Sequence, residues 1–435
     1  MKKNTLLLLL LFQCGAMMGQ LPIETAEIFD PAGDECGIVR TWKSGMAVAY
    51  HQHDGENVFS VIDSATSTVF SVKVTTGLPE NPIYTINDFR IVGDSVYCGG
   101  SVNNDAMIAY FDINELLYNT GYPGNVGFTV VKINDIDKVT KLTAYRNTLM
   151  NGVGIAAIGT AQDGYYMIEC NNYGGSMTFS ATSRRCFNQS QIETLTDVVV
   201  TKSFVGFVGI MDKTNRVCIR RGNKNGIFAS ALIDTIHQYS YLSTRMESLP
   251  VAEALDNETI AIASAYSDDW PSGIDFSVQL FLFNLANMDF FDAWHTWQPE
   301  NSPVTELAYV PSSKTLLIAI INGTGDRVIY ASPFSATSYW AYYMRLLNGE
   351  RICSMDFRNS SYYILSTTNH WMLQRLVYPC SDTNMCIETS KVEFIHGTVC
   401  LDNPRIHMGT PTTANTYLDK IPQTVFNYTL DCIHQ

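Results

Sequence analysis

The chain has little positive charge. Its 28 Lys and Arg face 42 Asp and Glu, for a formal net charge of −14. No Lys/Arg-rich run appears anywhere, so nothing in the sequence would grip a phosphate backbone or an anionic membrane. Long apolar runs are also missing. The longest, Leu6 to Phe12, is too short to span a bilayer. The nucleophile elbow G-x-S-x-G, the zinc motif H-E-x-x-H and the Walker A loop are all absent. Gly152-Val153-Gly154 opens a glycine pattern, but it lacks the helix that a dinucleotide loop needs. There is no low-complexity linker to mark a second domain.

What is present is a repeat. An apolar strand, a short polar turn and a second strand of small or β-branched residues recur along 435 residues. Copies start at Cys36, Ile86, Val139, Leu195, Val251, Val304 and Ile352, with starts roughly fifty residues apart. The clearest is Ile86 to Ile113, INDFRIVGDSVYCGGSVNNDAMIAYFDI. Further Val-, Ile-, Tyr- and Phe-rich runs follow each copy, separated by Gly, Asn, Asp and Pro, which is the strand signature. Three to four strands per copy make a small antiparallel sheet that cannot bury both faces alone. Packed radially, such sheets can. The fold expected is therefore all-β: a single seven-bladed β-propeller over 20–380, with six or eight blades as the alternative. A β-helix would show a shorter rung, and sandwich domains would run near 100 residues each.

The last copy shows only three clear strands. Its fourth is expected from Ile23–Phe29 or from Val392–Val399, because an open edge invites aggregation. Residues 381–435 form a short cysteine-containing extension, expected to close the ring or pack on it as a loop-rich cap.

Residues 1–19 read as a signal peptide, with Lys2 and Lys3, an apolar core, and small residues at Gly15, Ala16 and Gly19. Cleavage before Gln20 would take the net charge from −14 to −16 and leave ten of the eleven cysteines. An even cysteine count in an exported chain suggests disulfides. The nearest pairs are Cys170 with Cys186, Cys380 with Cys386, and Cys400 with Cys432. Cys98 and Cys353 lie inside strand patterns and read equally well as buried thiols.

Aligning the copies places the loop after each second strand at one position. Its polar residues are His51, His53 and Asp54; Asn103, Asn104 and Asp105; Gln162 and Asp163; Asp212 and Asn215; Asp268 and Asp269; Asn322 and Asp326; Asn369 and His370. In a propeller these loops share one face and form a rim able to hydrogen-bond a glycan or hold a cation. Turn chemistry alone also explains Asn, Asp and Gly at such places. His51, His53 and Asp54 are the local candidates for a transition metal. Asp268, Asp269 and Asp275 are the candidates for a structural calcium; no other cofactor is expected. The aromatic runs at Trp294–Trp297 and Tyr339–Tyr343 alternate as strands do, which places half of the rings between sheets.

With its signal-like segment ending before Gln20 and its strand-turn-strand unit, clearest at Ile86–Gly100, the chain resembles the exported β-propeller proteins of the Bacteroidetes. The resemblance implies a propeller fold and a periplasmic, cell-surface or secreted setting, and it implies no reaction. The function expected is a monomeric binding or interaction module of the cell envelope, with a glycan or protein partner. The alternative is a glycan-active hydrolase or lyase using Asp and His of the rim.

Overall fold

A computed structural model describes residues 24–29, 37–43, 46–53, 56–63, 68–74, 84–114, 128–133, 135–149, 151–172, 179–185, 193–211, 216–227, 232–238, 244–270, 273–298, 300–322, 326–334, 339–345, 351–358, 361–367, 371–377, 388–397, 400–401, 405–407, 416–418 and 420–427. Strands dominate. The first sheet runs Ile38–Thr41, Met46–His53, Glu56–Asp63 and Thr68–Val74, each antiparallel to the next. The same order recurs in Tyr84–Val92, Ser95–Val102, Asp105–Asp112 and Phe128–Ile133. Next come Lys138–Asn147, Gly152–Ala161, Gly164–Asn172 and Phe179–Arg185. Glu193–Val200, Phe204–Met211, Arg216–Asn223 and Leu232–Gln238 form the following sheet. Val251–Ala254 leads Thr259–Trp270, Gly273–Asn284 and Asp289–Gln298. Val304–Val310 leads Thr315–Ile320, Arg327–Ala331 and Tyr339–Arg345. The last sheet holds Arg351–Arg358, Ser361–Thr367 and Trp371–Val377, completed by the N-terminal strand Glu24–Phe29. Of the two closures the sequence allows, the N-terminal one is therefore used.

Strand alternation puts apolar residues on both faces of each sheet, and each face packs on a neighbour. Phe59 and Val61 of the first sheet meet Phe89, Met107 and Phe111 of the second. Tyr97 and Ile108 meet Leu142, Ile155 and Ile168. Ile158 and Met167 meet Val198 and Phe207. Val208 and Ile219 meet Ile262 and Phe281. Leu280 and Trp294 meet Leu307 and Ile318. The circle is completed by polar links. Asp326 accepts from the backbone N–H of Ile352 at 2.7 Å, and Asp356 accepts from that of Thr41 in the first sheet at 2.6 Å. Radial sheets joined face to face into a closed ring are a β-propeller. At about 25 cal/mol per Å², these buried interfaces dominate its stability.

The described residues after 380 are strands that pack on the sheets, where a loop-rich cap was expected. Glu388–Gly397 pairs with both Asp289–Gln298 and Tyr339–Arg345. Cys400–Leu401 and Arg405–His407 extend Leu232–Gln238. Thr416–Leu418 pairs with Phe128–Ile133, and Lys420–Asn427 with Thr68–Val74. The tail spends its backbone donors and acceptors on outer strands that would otherwise offer open edges.

The expected Cys170–Cys186 bridge is not formed. Cys170 is a free thiol in mid-strand, fully buried among Ile155, Leu142 and Ile168. Burial pushes its thiol pKa well up, so it is no nucleophile. Cys98 is likewise a buried free thiol. Cys186, Cys380, Cys386 and Cys432, and the side chain of Cys400, lie outside the described residues.

Candidate functional site

The described residues of the loop rim serve turns, pairings and backbone contacts. Asn103 and Asn104 are exposed, with φ of 50° and 66°. Two consecutive left-handed residues make a two-residue hairpin turn, which is what Asn supplies there. Asp105 beside them pairs with Lys132 at 3.4 Å. Asp163 is exposed and accepts the Tyr166 hydroxyl at 3.1 Å. Asp326 is not a rim ligand: it is buried, and its two oxygens accept from the backbone N–H groups of Ile352 and Asn322. Asp268 is buried opposite the exposed Asp275. Asp269 stands opposite Ile274, His51 opposite Val58, and His53 opposite Glu56. The side chains of those three, and Asp54, Asp212 and His370 altogether, lie outside the described residues. Among the described residues no three His, Cys, Asp or Glu converge as metal ligands.

The structure brings a different set together, at the axis. Each inner strand carries a polar residue at one aligned position: Arg40, Asp88, Lys141, Asp197, Glu253, Glu306 and Ser354. In five of these strands a register irregularity directly precedes that residue, as between Ile86 and Asp88, or Leu195 and Asp197. An inserted residue bends and twists the strand and re-aims the side chain that follows. The bulge also explains glycines on the neighbouring strand. A Cβ at Gly100 would stand 1.8 Å from the Thr85 carbonyl oxygen, and one at Gly209 would stand 2.1 Å from that of Thr194.

Most of this ring is committed to holding the sheets together. Asp88 accepts from the Leu142 backbone N–H of the next sheet at 3.1 Å. Asp197 does the same for Ala252 at 2.9 Å, and Glu306 for Met355 at 2.6 Å. Arg40 donates to Asp88 at 3.0 Å, Glu306 at 3.1 Å, Ser354 at 3.0 Å and the Phe89 carbonyl at 3.2 Å. One guanidinium thus ties together four sheets. Burial works against its charge, but Glu306, Asp88 and Asp356 outweigh it and hold its pKa above the usual arginine value. Burial likewise disfavours the Asp88 carboxylate, yet Arg90, Arg40 and Lys141 keep its pKa below the ordinary value.

Three axial groups are not used up. Arg90 spends only Nη1, on Asp88 at 3.2 Å and on the Phe89 carbonyl at 3.3 Å. Its side chain is 28% exposed. Lys141 and Glu253 are half-buried and have no hydrogen-bond partner among the described residues. Desolvation pushes the Glu253 carboxyl up to about 8, with Asp356 and Asp197 adding to the shift and Arg90 and Arg40 opposing it. At neutral pH it is an uncharged acid able to donate and accept.

An acid whose pKa is raised on folding binds its proton more tightly in the folded state. Stability is therefore full below the unfolded value of 4.5 and falls as pH rises to about 8. Glu253→Gln removes that loss, worth roughly 2 kcal/mol after discounting for solvent in the channel. The variant is expected to melt about 2 °C above the parent at pH 9 and close to it at pH 5. Equal melting shifts at both pH values would show that Glu253 is not desolvated.

No protein-family model matches this chain, and no curated protein does. Among solved structures it is similar in course to the polysaccharide lyase Uly1, at 7% identity and TM-score 0.44, over 80% of this chain and 90% of that one. Drosophila Semaphorin 2a matches at 8% identity and TM-score 0.40, over 81% and 77%. The Nup133 β-propeller domain of Vanderwaltozyma polyspora matches at 10% identity and TM-score 0.41, over 82% and 100%. Similarity at this level bears on no ligand and no reaction.

Proposed function

We propose that this is an exported, seven-bladed β-propeller that binds a polar ligand at the mouth of its axis. The observation carrying this reading is the division of labour within the axial ring. Asp88, Asp197 and Glu306 are spent on backbone amides, while Arg90, Lys141 and Glu253 are half-buried, and Lys141 and Glu253 have no hydrogen-bond partner among the described residues. Unspent charge beside a rigid, latched ring is pre-organised for recognition at low ordering cost. Seven inner strands supply the seven blades, and the segment Met1–Gly19 supports export to the cell envelope. In such a compartment the tail cysteines Cys380 and Cys386 are a reasonable local pair.

The alternative, a glycan-active hydrolase or lyase, is favoured by one feature. Glu253, with its pKa near 8, has the character of a general acid. A glycosidase also needs a second carboxylate across the cleft. The acids around Glu253, Asp197 and Asp356, are instead held by the backbone N–H groups of Ala252 and Thr41. Binding is therefore the better reading. A glycan array probed with the full chain and with Lys141→Ala tests it. Hits that the variant loses support the axial site. Hits kept in full by the variant move the site elsewhere, and product release from a bound glycan would install the enzyme.

A further inference from the structure

We propose that copies of this chain join edge to edge, in place of the monomer expected from the sequence. The N-terminal strand Glu24–Phe29 of one copy pairs antiparallel with Phe179–Arg185 of the next. This goes beyond the axial reading and does not depend on it. The tail covers the outermost strand of five sheets: Thr68–Val74, Phe128–Ile133, Leu232–Gln238, Asp289–Gln298 and Tyr339–Arg345. The other two sheets end differently. One stops at Phe179–Arg185 and the other at Glu24–Phe29, with no further strand paired to either among the described residues. Each is paired from end to end on its inner side. Its other side turns a row of backbone N–H and C=O groups away from the sheet. An extended segment laid along such a row satisfies them.

Charge selects the partner. The strand FSATSRR carries two positive charges and no negative one, and ETAEIF carries two negative charges and no positive one. An antiparallel register with Glu24 opposite Arg185 pairs all six residues of the N-terminal strand and sets Glu27 diagonal to Arg184. Direct and diagonal neighbours are the positions at which opposite charges stabilise a strand pair. The two edges cannot meet within one molecule, because two sheets separate them one way around the ring and three the other. Their complementarity is therefore met between molecules. A second copy is favoured over an acidic segment of another protein because its strand is already extended, so pairing costs little ordering. The two edges differ, so the contact is heterologous: each added copy leaves one edge of each kind open, and association runs past the dimer. Six residues give an edge about 20 Å long. So small a contact is weak, with a Kd on the order of 100 µM.

The test is sedimentation velocity of the full chain at rising concentration, in about 0.01 M and about 1 M salt. The parent is expected to pass from monomer through dimer to longer species near 100 µM, on the order set by so small a contact. Its affinity should fall at least about tenfold in the higher salt, where the Debye length is about 3 Å. Two charge reversals carry the argument further. Glu24→Lys with Glu27→Lys makes both open edges positive, and Arg184→Glu with Arg185→Glu makes both negative, so each variant alone should remain monomeric. Mixed in equal amounts, the two should associate as the parent does, because each supplies the edges that the other lacks. A parent that stays monomeric at every concentration would overturn the inference whatever the variants do. So would association that stops at the dimer, that persists in both reversed variants, or that mixing two folded variants does not restore. A monomeric parent that binds a synthetic ETAEIF peptide, with binding lost on Arg184→Glu with Arg185→Glu, would give this edge to an acidic segment of another protein and overturn the pairing of copies.

Discussion

Arg40→Met is expected to remove about 3–5 kcal/mol of stability, the cost of stripping one partner from a buried ion pair. Methionine keeps the aliphatic stem, so the loss reports the guanidinium and not packing. Arg40 is 6% exposed and contacts Asp88, Glu306, Ser354 and the Phe89 carbonyl, which belong to three other sheets. Without it Glu306 keeps only the Ser354 hydroxyl and the Met355 N–H, and Asp88 loses the nearer of its two arginines. Urea denaturation of parent and variant reads the difference directly. A loss under about 1 kcal/mol would mean that the latches work without their central cation.

The second large effect belongs to the bulges. Gly209→Ala is expected to cost about 3 kcal/mol, at the top of the range for overpacking, because the obstacle is backbone. Its Cβ would meet the Thr194 oxygen at 2.1 Å and the Leu195 Cα at 3.0 Å. Neither can rotate away, and relief would require undoing the bulge that presents Asp197. Gly100→Ala meets the same obstacle at Thr85 and should behave alike. Gly206→Ala is the control: its Cβ would touch only the side chains of Leu285 and Val199, at 3.2 Å or more, and those can shift. Its melting temperature should fall by less than half as much. Equal losses at Gly206 and Gly209 would count against the bulge argument.

These positions also show where the sequence could be read and where it could not. The strand-turn-strand plan was plain at Ile86–Ile113, because alternation and the Gly93-Asp94 turn are local properties. Half of the rings in the aromatic runs were expected between sheets, and Trp294 is one that lies there, 1% exposed. The missing fourth strand of the last copy pointed to closure by Ile23–Phe29 or Val392–Val399, and the pairing of Glu24–Phe29 decides between them. Cys170 was misread because an even cysteine count says nothing of which thiols a core layer encloses. The axial ring was missed because the copies were aligned on their loops, where Asn and Asp are common for turn reasons. Aligned on their first strands, the copies carry Arg40, Asp88, Lys141, Asp197, Glu253, Glu306 and Ser354 in one column of otherwise apolar strands. That column was the available signal. What it did not disclose is the one-residue bulge that turns it inward, since a bulge depends on the partner strand and is marked only by a glycine opposite. Nor did it show which charges are spent on backbone N–H groups and which are free, because that depends on contacts between sheets about fifty residues apart in sequence.

The claim that the axis holds latches and a binding site side by side is tested most directly by one pair of readings on Lys141→Ala: its melting temperature and its affinity for a glycan that the parent binds on the array. Lys141 makes no hydrogen bond among the described residues. The expected result is a melting temperature within about 2 °C of the parent, with affinity reduced at least about tenfold. Unchanged affinity, or a collapse of stability and affinity together, would contradict the account.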